Sequence, residues 1–306
     1  MTIRIAIAGF GKIARDQHLP AIAADPHFEL VAIATSHGHP GLDLPWFATA
    51  DQLLDAMEGR IDAVAICTPP QVRHAIARRA LSAGLSVLLE KPPAATLGEI
   101  EDLERRAARA GRALYAAWHS QHAAAVPKAA ELLADAKIRR MDISWFEDVR
   151  KWHPGQEWIW MPGGFGVFDP GINALSIATR ILPMPLLVQE ARLLVPANHQ
   201  APIAAELAFT GGEFRAAFDW RYSEGERWEI RIETGDGRVV VLEDGGAQLS
   251  VDGIRQSLPE CGEYASIYAR FAEVVRNREV AVDREPQRIV ADAFLVGRRE
   301  LVEPFE

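Results

Sequence analysis

The opening of the chain constrains the fold most: an apolar run, residues 3–8 (IRIAIA), passes without a break into Gly9-Phe10-Gly11-Lys12-Ile13-Ala14. This is the GxGxxA spacing of a turn between a strand and a helix that cradles phosphate. The first glycine permits the tight turn, the second lets backbone approach a pyrophosphate, and the small third residue lets helix and strand pack closely. The anion then sits at the helix N-terminus, where unpaired N–H groups and the helix dipole favour negative charge. Glycines at turns are common, so the spacing alone also fits a bare turn. Its place after a strand and at the head of a helix selects dinucleotide binding, with Gly9, Gly11, Lys12 and Ile13 against the cofactor.

The first third of the chain keeps the same rhythm. Residues 28–34, 62–67, 86–90 and 113–118 read as further short strands, apolar on both faces, with helical spacing at 71–83 and 97–110 between them. Thr96 and Glu99 make a capping box, and Gly111 stands where a helix-ending glycine belongs. Such alternation means βαβ units and a parallel sheet. After about residue 120 the pattern changes. A helix at 123–134 leads into 138–148, a loop rich in Trp, Pro and Gly, and a helix from 170 to about 181. Segments 187–195, 203–210, 213–221, 228–233 and 238–243 then follow one another without helices between them. Polar–apolar alternation from Arg227 and the Gly235-Asp236-Gly237 turn describe an antiparallel sheet. Helical segments at 264–276 and 286–299 close the chain. At 306 residues two cores are expected: an α/β Rossmann domain over 1–120 and an α+β substrate domain over 121–306.

Charge and composition exclude several partners. Lys and Arg number 33 against 42 Asp and Glu, a net charge of −9, which argues against nucleic acid. No apolar run reaches the roughly 18 residues of a membrane span. The N-terminal stretch lacks the layout of a secretory leader, and Cys67 and Cys261 form neither a disulfide framework nor a metal clip. A cytoplasmic protein is expected. No metal site is expected either, because His and acidic residues show no ligand spacing.

Two strand ends carry chemistry. The second strand closes near Thr35, where a carboxylate ordinarily holds the ribose 2′-hydroxyl. Here the run is Thr35-Ser36-His37-Gly38, with no acid to repel a 2′-phosphate and no arginine to anchor one. Ser36 and His37 are the remaining donors, and use of both NAD and NADP is expected. Glu90-Lys91-Pro92 closes the fourth predicted strand, at the edge where parallel sheets bind ligands. A lysine there can donate to a substrate hydroxyl and steady the alkoxide that forms. A surface lysine before a strand-ending proline would look the same.

The motifs follow a recognisable order: GxGxxA, Thr68-Pro69-Pro70 with His74, Glu90-Lys91-Pro92, then Gly163-Gly164 leading to Asp169-Pro170-Gly171-Ile172-Asn173. Over nearly the whole chain this resembles the glucose–fructose oxidoreductase and inositol dehydrogenase family. The resemblance implies a nicotinamide cofactor, NAD or NADP, also touched by Thr68, Pro69, His74, Glu90 and Lys91. It further implies a polyol or sugar substrate, and an open-faced sheet in the second domain used for homodimer or homotetramer contacts. Many members carry a histidine where this chain has Asn173, so their histidine base is absent here. Residues 11–20, 148–160 and 168–177 are most similar to the bacterial branch that oxidises L-arabinose or D-galactose at carbon one. That likeness implies hydrogen bonds to the sugar from Lys91, His119, Glu147, His153, Asp169 and Asn173.

The residues themselves leave more than one role open. Asp169 before Pro170 has the form of a helix N-cap, compatible with its second oxygen facing a ligand. Asn173, four residues on, shares its helix face. Among clustered tryptophans, Trp152 is the candidate to stack on a sugar ring, and Trp145, Trp158 and Trp160 read as core. His18 and His74 also fit helix packing or loop fixing. We assign Asp169 as the base and Lys91 as the positive donor; the reverse, a lysine base, fits the sequence equally. Two further functions remain open: an oxidoreductase of another polyol or a dihydrodiol, and a cofactor-binding regulator without turnover.

Overall fold

The computed structural model describes residues 2–260 and 262–306, and the chain divides into two compact units. Of the described residues, the first comprises 2–119 and 262–284, the second 120–260 and 285–306. The expected division at 120/121 thus differs in one respect: the helix Glu263–Asn277 and the strand Val280–Ala281 return to the first unit. The reason lies in packing. Tyr264, Ile267, Tyr268, Phe271 and Val274 are buried in the same cluster as Ile3, Ile5 and Ile7 of the first strand.

The first unit is built on β1 (Ile3–Ala8), β2 (Phe28–Ala34), β3 (Trp46–Phe47), β4 (Ala63–Ile66), β5 (Ser86–Glu90) and β6 (Leu114–Ala117). With Val280–Ala281 they form a seven-stranded sheet, in the order Val280–Ala281, β6, β5, β4, β1, β2, β3. Every pair in it is parallel. The order reverses between β1 and β4, which is where doubly wound sheets open a crevice for a dinucleotide. Ile5, Ala6 and Ile7 are fully buried, because helices cover both faces. On one side pack residues 12–24 and Glu263–Asn277; on the other lie Ala50–Ala56, Pro70–Ser82 and Leu97–Ala110. The capping box of Thr96 and Glu99 is present, and Gly111 takes the left-handed conformation that ends that helix. The two-residue β3 is too short to leave a periodic signal.

The second unit holds a nine-stranded sheet ordered Ile254–Arg255, Gln248–Val251, Val239–Glu243, Arg227–Thr234, Ile138–Phe146, Glu213–Asp219, Ala204–Phe209, Val188–Pro196, Arg298–Val302. It is mostly antiparallel, with two parallel pairs: Glu213–Asp219 on Ile138–Phe146, and Arg298–Val302 on Val188–Pro196. Alternate residues are buried, as in Phe214, Ala216 and Phe218, whose neighbours point outward. The closing helix stops at Val296 rather than 299, because Gly297 breaks it, and the following residues join the sheet. The helix expected at 123–134 begins at Val126, since the Ala125 amide bonds outward to the Gly246 carbonyl at 2.9 Å. Among the described residues no helix is long and apolar enough to cross a membrane, and no group of three or more His, Cys, Asp or Glu could hold a metal ion. Cys67 is in no disulfide; Cys261 lies outside the described residues.

Candidate active site

The glycine loop has the geometry its spacing requires. Gly9 sits at φ +91°, and a Cβ there would lie 2.8 Å from the Thr68 amide nitrogen and 2.9 Å from the Cys67 carbonyl carbon. Only glycine lets the loops after β1 and β4 touch. At Gly11 an added Cβ would meet nothing within 4 Å, so open space lies in front of the helix over residues 12–24. Ile13 is 37% exposed there, and Lys12 pairs with Asp16 along the helix surface. Across the loop, the Thr68 hydroxyl is buried with no hydrogen-bond partner among the described residues. Pro69 precedes the helix Pro70–Ser82 in an extended conformation. An open cradle, unpaired first-turn amides and a waiting hydroxyl fit the pyrophosphate of a dinucleotide.

At the end of β2, Thr35 is buried, and its hydroxyl accepts the His37 amide at 3.2 Å, turning the chain. Ser36 and His37 are exposed on that turn, and no carboxylate stands among residues 35–38.

Glu90 closes β5 fully enclosed. His18 Nε2 lies 3.0 Å from Oε1, and the Tyr264 hydroxyl donates to the same oxygen at 2.6 Å. The Lys91 amide donates to Oε2 at 2.8 Å. His18, at the end of a π turn spanning Ala14–His18, is also 2.8 Å from the Tyr268 hydroxyl through Nδ1. Burial pushes the Glu90 carboxyl up, but the bond and charge of His18, the charge of His119 and the Tyr264 hydroxyl outweigh it and hold the group at about 2. Burial likewise opposes the His18 imidazolium, while Cys67, Tyr268 and Glu90 draw its pKa well above the usual value. The sign of the linkage follows. Glu90 contributes stability that is complete above about pH 4.5 and lost as pH falls toward about 2; His18 contributes below its ordinary pKa and loses that contribution as pH rises through the raised one. Glu90→Gln is therefore expected to flatten the acid limb of a pH–Tm curve between about pH 4.5 and 2. An unchanged slope there would show that Glu90 does not titrate as described. Lys91, half-buried, stands directly on this network.

His74 bonds through Nε2 to Asp102 Oδ2 at 2.9 Å and so joins the helices Pro70–Ser82 and Leu97–Ala110. Asp102 also accepts from Arg106 at 2.7 Å. That bond and the one from His74 outweigh burial and hold its carboxyl down at about 2. His119, just past β6, places Nδ1 2.7 Å from Glu263 Oε2 and stacks on Tyr264.

The second unit carries the remaining candidates. Glu147 is buried, and both its oxygens are engaged by indoles: Trp220 Nε1 donates to Oε1 at 3.3 Å and Trp228 Nε1 to Oε2 at 2.9 Å. These two tryptophans had no signal beyond composition. Asp148 caps the short helix Val149–Trp152 by accepting the Arg150 amide at 2.9 Å. That helix sets Trp152 and His153. Trp152 is 39% exposed, leans on Trp228, and donates Nε1 to Glu226 at 3.2 Å. His153 Nδ1 donates to Gln156 Oε1 at 3.3 Å, and Nε2 faces Asp169 Oδ2 at 3.5 Å. The Trp-rich loop folds back so tightly that a Cβ at Gly164 would lie 2.2 Å from the Trp158 carbonyl.

Asp169 is buried in the first turn of the helix Phe168–Ile181, with Asn173 half-buried one turn on. The N-cap expectation is corrected: Val167 occupies the cap position, and Asp169 is the second helical residue. Its own amide bonds to Gly166 O at 2.8 Å and that of Phe168 to Phe165 O at 3.1 Å, so the helix starts two residues before Pro170. Pro170 remains tolerated there because first-turn amides have no intrahelical partner.

The parallel sheet, its order reversal and the glycine cradle define a dinucleotide-binding fold. Known proteins bear directly on this. The GFO/IDH/MocA oxidoreductase family, with its NAD-binding Rossmann fold, matches residues 3–118. A galactose 1-dehydrogenase from Pseudomonas fluorescens is 47% identical, over 99% of this chain and 98% of that protein. The crystal structure of a D-galactose-1-dehydrogenase protein from Rhizobium etli superimposes with a TM-score of 0.93 at 49% identity, over 100% of this chain and 98% of that one. A 3-ketoreductase from Actinomadura kijaniata, solved with NADP and TDP-benzene, shares the fold at 19% identity and TM-score 0.84, over 99% of this chain and 100% of that one. The chain belongs to the GFO/IDH/MocA oxidoreductase family.

Proposed function

We propose that the protein oxidises the anomeric carbon of an aldopyranose, D-galactose or L-arabinose, to the aldonolactone with hydride transfer to NAD(P)+. The observation that carries this is the relation, over essentially the whole chain, to two galactose 1-dehydrogenases at 47% and 49% identity. L-Arabinose has the galactose configuration at carbons two to four and lacks only the hydroxymethyl group, so one pocket accepts both.

A pyranose is already a hemiacetal. Loss of a hydride from carbon one and a proton from its hydroxyl gives the lactone directly. Bound NAD(P)+ supplies the hydride acceptor. The Asp169 carboxylate is assigned as the acceptor of the hydroxyl proton, and the Lys91 ammonium as the positive donor that steadies the developing negative charge. Asn173 and His153 hold neighbouring hydroxyls, His119 a further one, and Trp152 presents an apolar face to the ring. With both oxygens met by indole N–H groups, Glu147 orders Trp220 and Trp228 beside its contact to the sugar. Purified protein with each sugar and each cofactor, followed at the nicotinamide absorbance, tests the reading. Silence with every combination defeats it and favours a cofactor-binding regulator.

Both cofactors support turnover. No carboxylate stands at residues 35–38 to exclude a 2′-phosphate, and no arginine stands there to demand one. A ratio of specificity constants beyond about a thousandfold either way, roughly 4 kcal/mol, would require a discriminating element that this turn lacks. Ser36→Asp is expected to move preference toward NAD.

The protein works in the cytoplasm as a homodimer or homotetramer joined through the outward face of the nine-stranded sheet. That face carries Arg192 beside Glu300 at 2.8 Å, Arg140 beside Asp142 at 2.5 Å and Arg139 beside Glu233 at 2.5 Å. A self-association that draws on such charges across the interface weakens as salt screens them. Sedimentation at low and molar salt is expected to show dissociation; a monomer at low salt would sink the assembly.

A further inference from the structure

Arg73 has no motif to announce it, yet it is only 3% exposed. It lies in the first turn of the helix Pro70–Ser82, and its guanidinium donates to three main-chain carbonyls. Nη2 reaches Thr68 O, in the loop after β4; Nη1 reaches Glu90 O and Pro92 O, on either side of Lys91. A buried guanidinium is costly unless its donors are met, and here both terminal nitrogens are spent on loop carbonyls. From the other direction the buried Glu90 carboxylate accepts the Lys91 amide at 2.8 Å. The peptide leading into Lys91 is therefore gripped at both its oxygen and its hydrogen, and the carbonyl of the next residue is gripped as well.

A lysine ammonium rides on a flexible four-carbon stem, so fixing its backbone narrows where it can reach. We propose that Arg73 is a positioning residue that aims Lys91, fixing the loop from which the ammonium reaches the reacting oxygen. This rests on the role proposed above for Lys91. Through Thr68 the same guanidinium ties that loop to the wall of the glycine cradle, so lysine and cofactor are held to one frame.

Misplacement of a reacting group by about 1 Å costs on the order of a hundredfold in rate. Arg73→Ala is expected to lower kcat for D-galactose by roughly thirtyfold or more, with KM for NADP within about threefold. Added guanidinium should restore much of the lost kcat in this variant and leave the wild type unaffected, whereas an alkylammonium should not. Arg73→Lys keeps the charge but not the fork that spans three carbonyls, and should lose nearly as much. Hydrogen exchange gives a readout that needs no sugar: the Lys91 amide should exchange markedly faster in both variants, with the first strands of the sheet unaffected. If the wild type oxidises no sugar, the proposed function falls and exchange still decides the role of Arg73. Wild-type kcat in Arg73→Ala, or unchanged exchange at Lys91, overturns the proposal. So does failure of both variants to fold, which would make Arg73 a general support.

Discussion

Lys91→Met is expected to cut turnover by roughly a hundredfold or more while leaving NAD(P) affinity within a few-fold. Methionine keeps the length and apolar stem of lysine and removes only the ammonium, so the loss reports charge rather than packing. In the proposed chemistry that charge acts on an oxygen becoming negative, an interaction made chiefly in the transition state. Removing it therefore lowers kcat and kcat/KM together. About 3 kcal/mol for one preorganised donor is in line with other oxyanion-stabilising groups. The backbone should not move: the Lys91 amide remains bonded to Glu90 and the flanking carbonyls to Arg73. Steady-state rates with D-galactose, beside cofactor binding by fluorescence, make the measurement. Near-wild-type turnover removes Lys91 from the reaction. A parallel loss of cofactor affinity makes it chiefly a cofactor contact.

What the sequence made legible follows from how local each signal is. The glycine cradle, the strand ends at Thr35 and Glu90, and the capping box of Thr96 and Glu99 are short-range patterns, and each stands where its spacing placed it. The return of Glu263–Asn277 to the first unit was not legible, because amphipathic spacing marks a buried face and not the partner that buries it. The edge strand Arg298–Val302 was hidden by the helical pattern before Gly297 and pairs with residues a hundred positions away. Single polar residues were hardest. Arg73 reads as one of several arginines on a helix, and only the fold shows its guanidinium surrounded by carbonyls. Glu147 was marked through resemblance alone; that two indoles occupy its oxygens depends on pairing across strands. The misread cap at Asp169 has a local cause: the Asp-Pro pair is the usual cap signature, and the turn Phe165–Phe168 starts the helix earlier.

That correction sharpens the most decisive substitution. Were Asp169 a cap, its carboxylate would be needed for the helix; as the second helical residue it interacts with the helix dipole, worth about 0.3–1 kcal/mol. Asp169→Asn is isosteric, so packing of the buried side chain is kept. The neighbouring histidine accommodates it too: His153 Nε2 lies 3.5 Å from Oδ2, and a side-chain amide can either donate to a ring nitrogen or accept from one. Stability should therefore change little, with Tm within a few degrees of wild type. Turnover should nearly vanish, because an amide cannot take the hydroxyl proton. The pH profile supplies an independent check. A carboxylate base gives a wild-type rate that falls on the acid side and is level above the pKa of that group, whereas a lysine base moves the rise to alkaline pH. We expect a folded Asn variant, with cofactor affinity intact and less than about a tenth of wild-type kcat. A stable variant above that level, with a wild-type profile still rising in alkali, would hand the proton to Lys91 and leave Asp169 to hold the sugar.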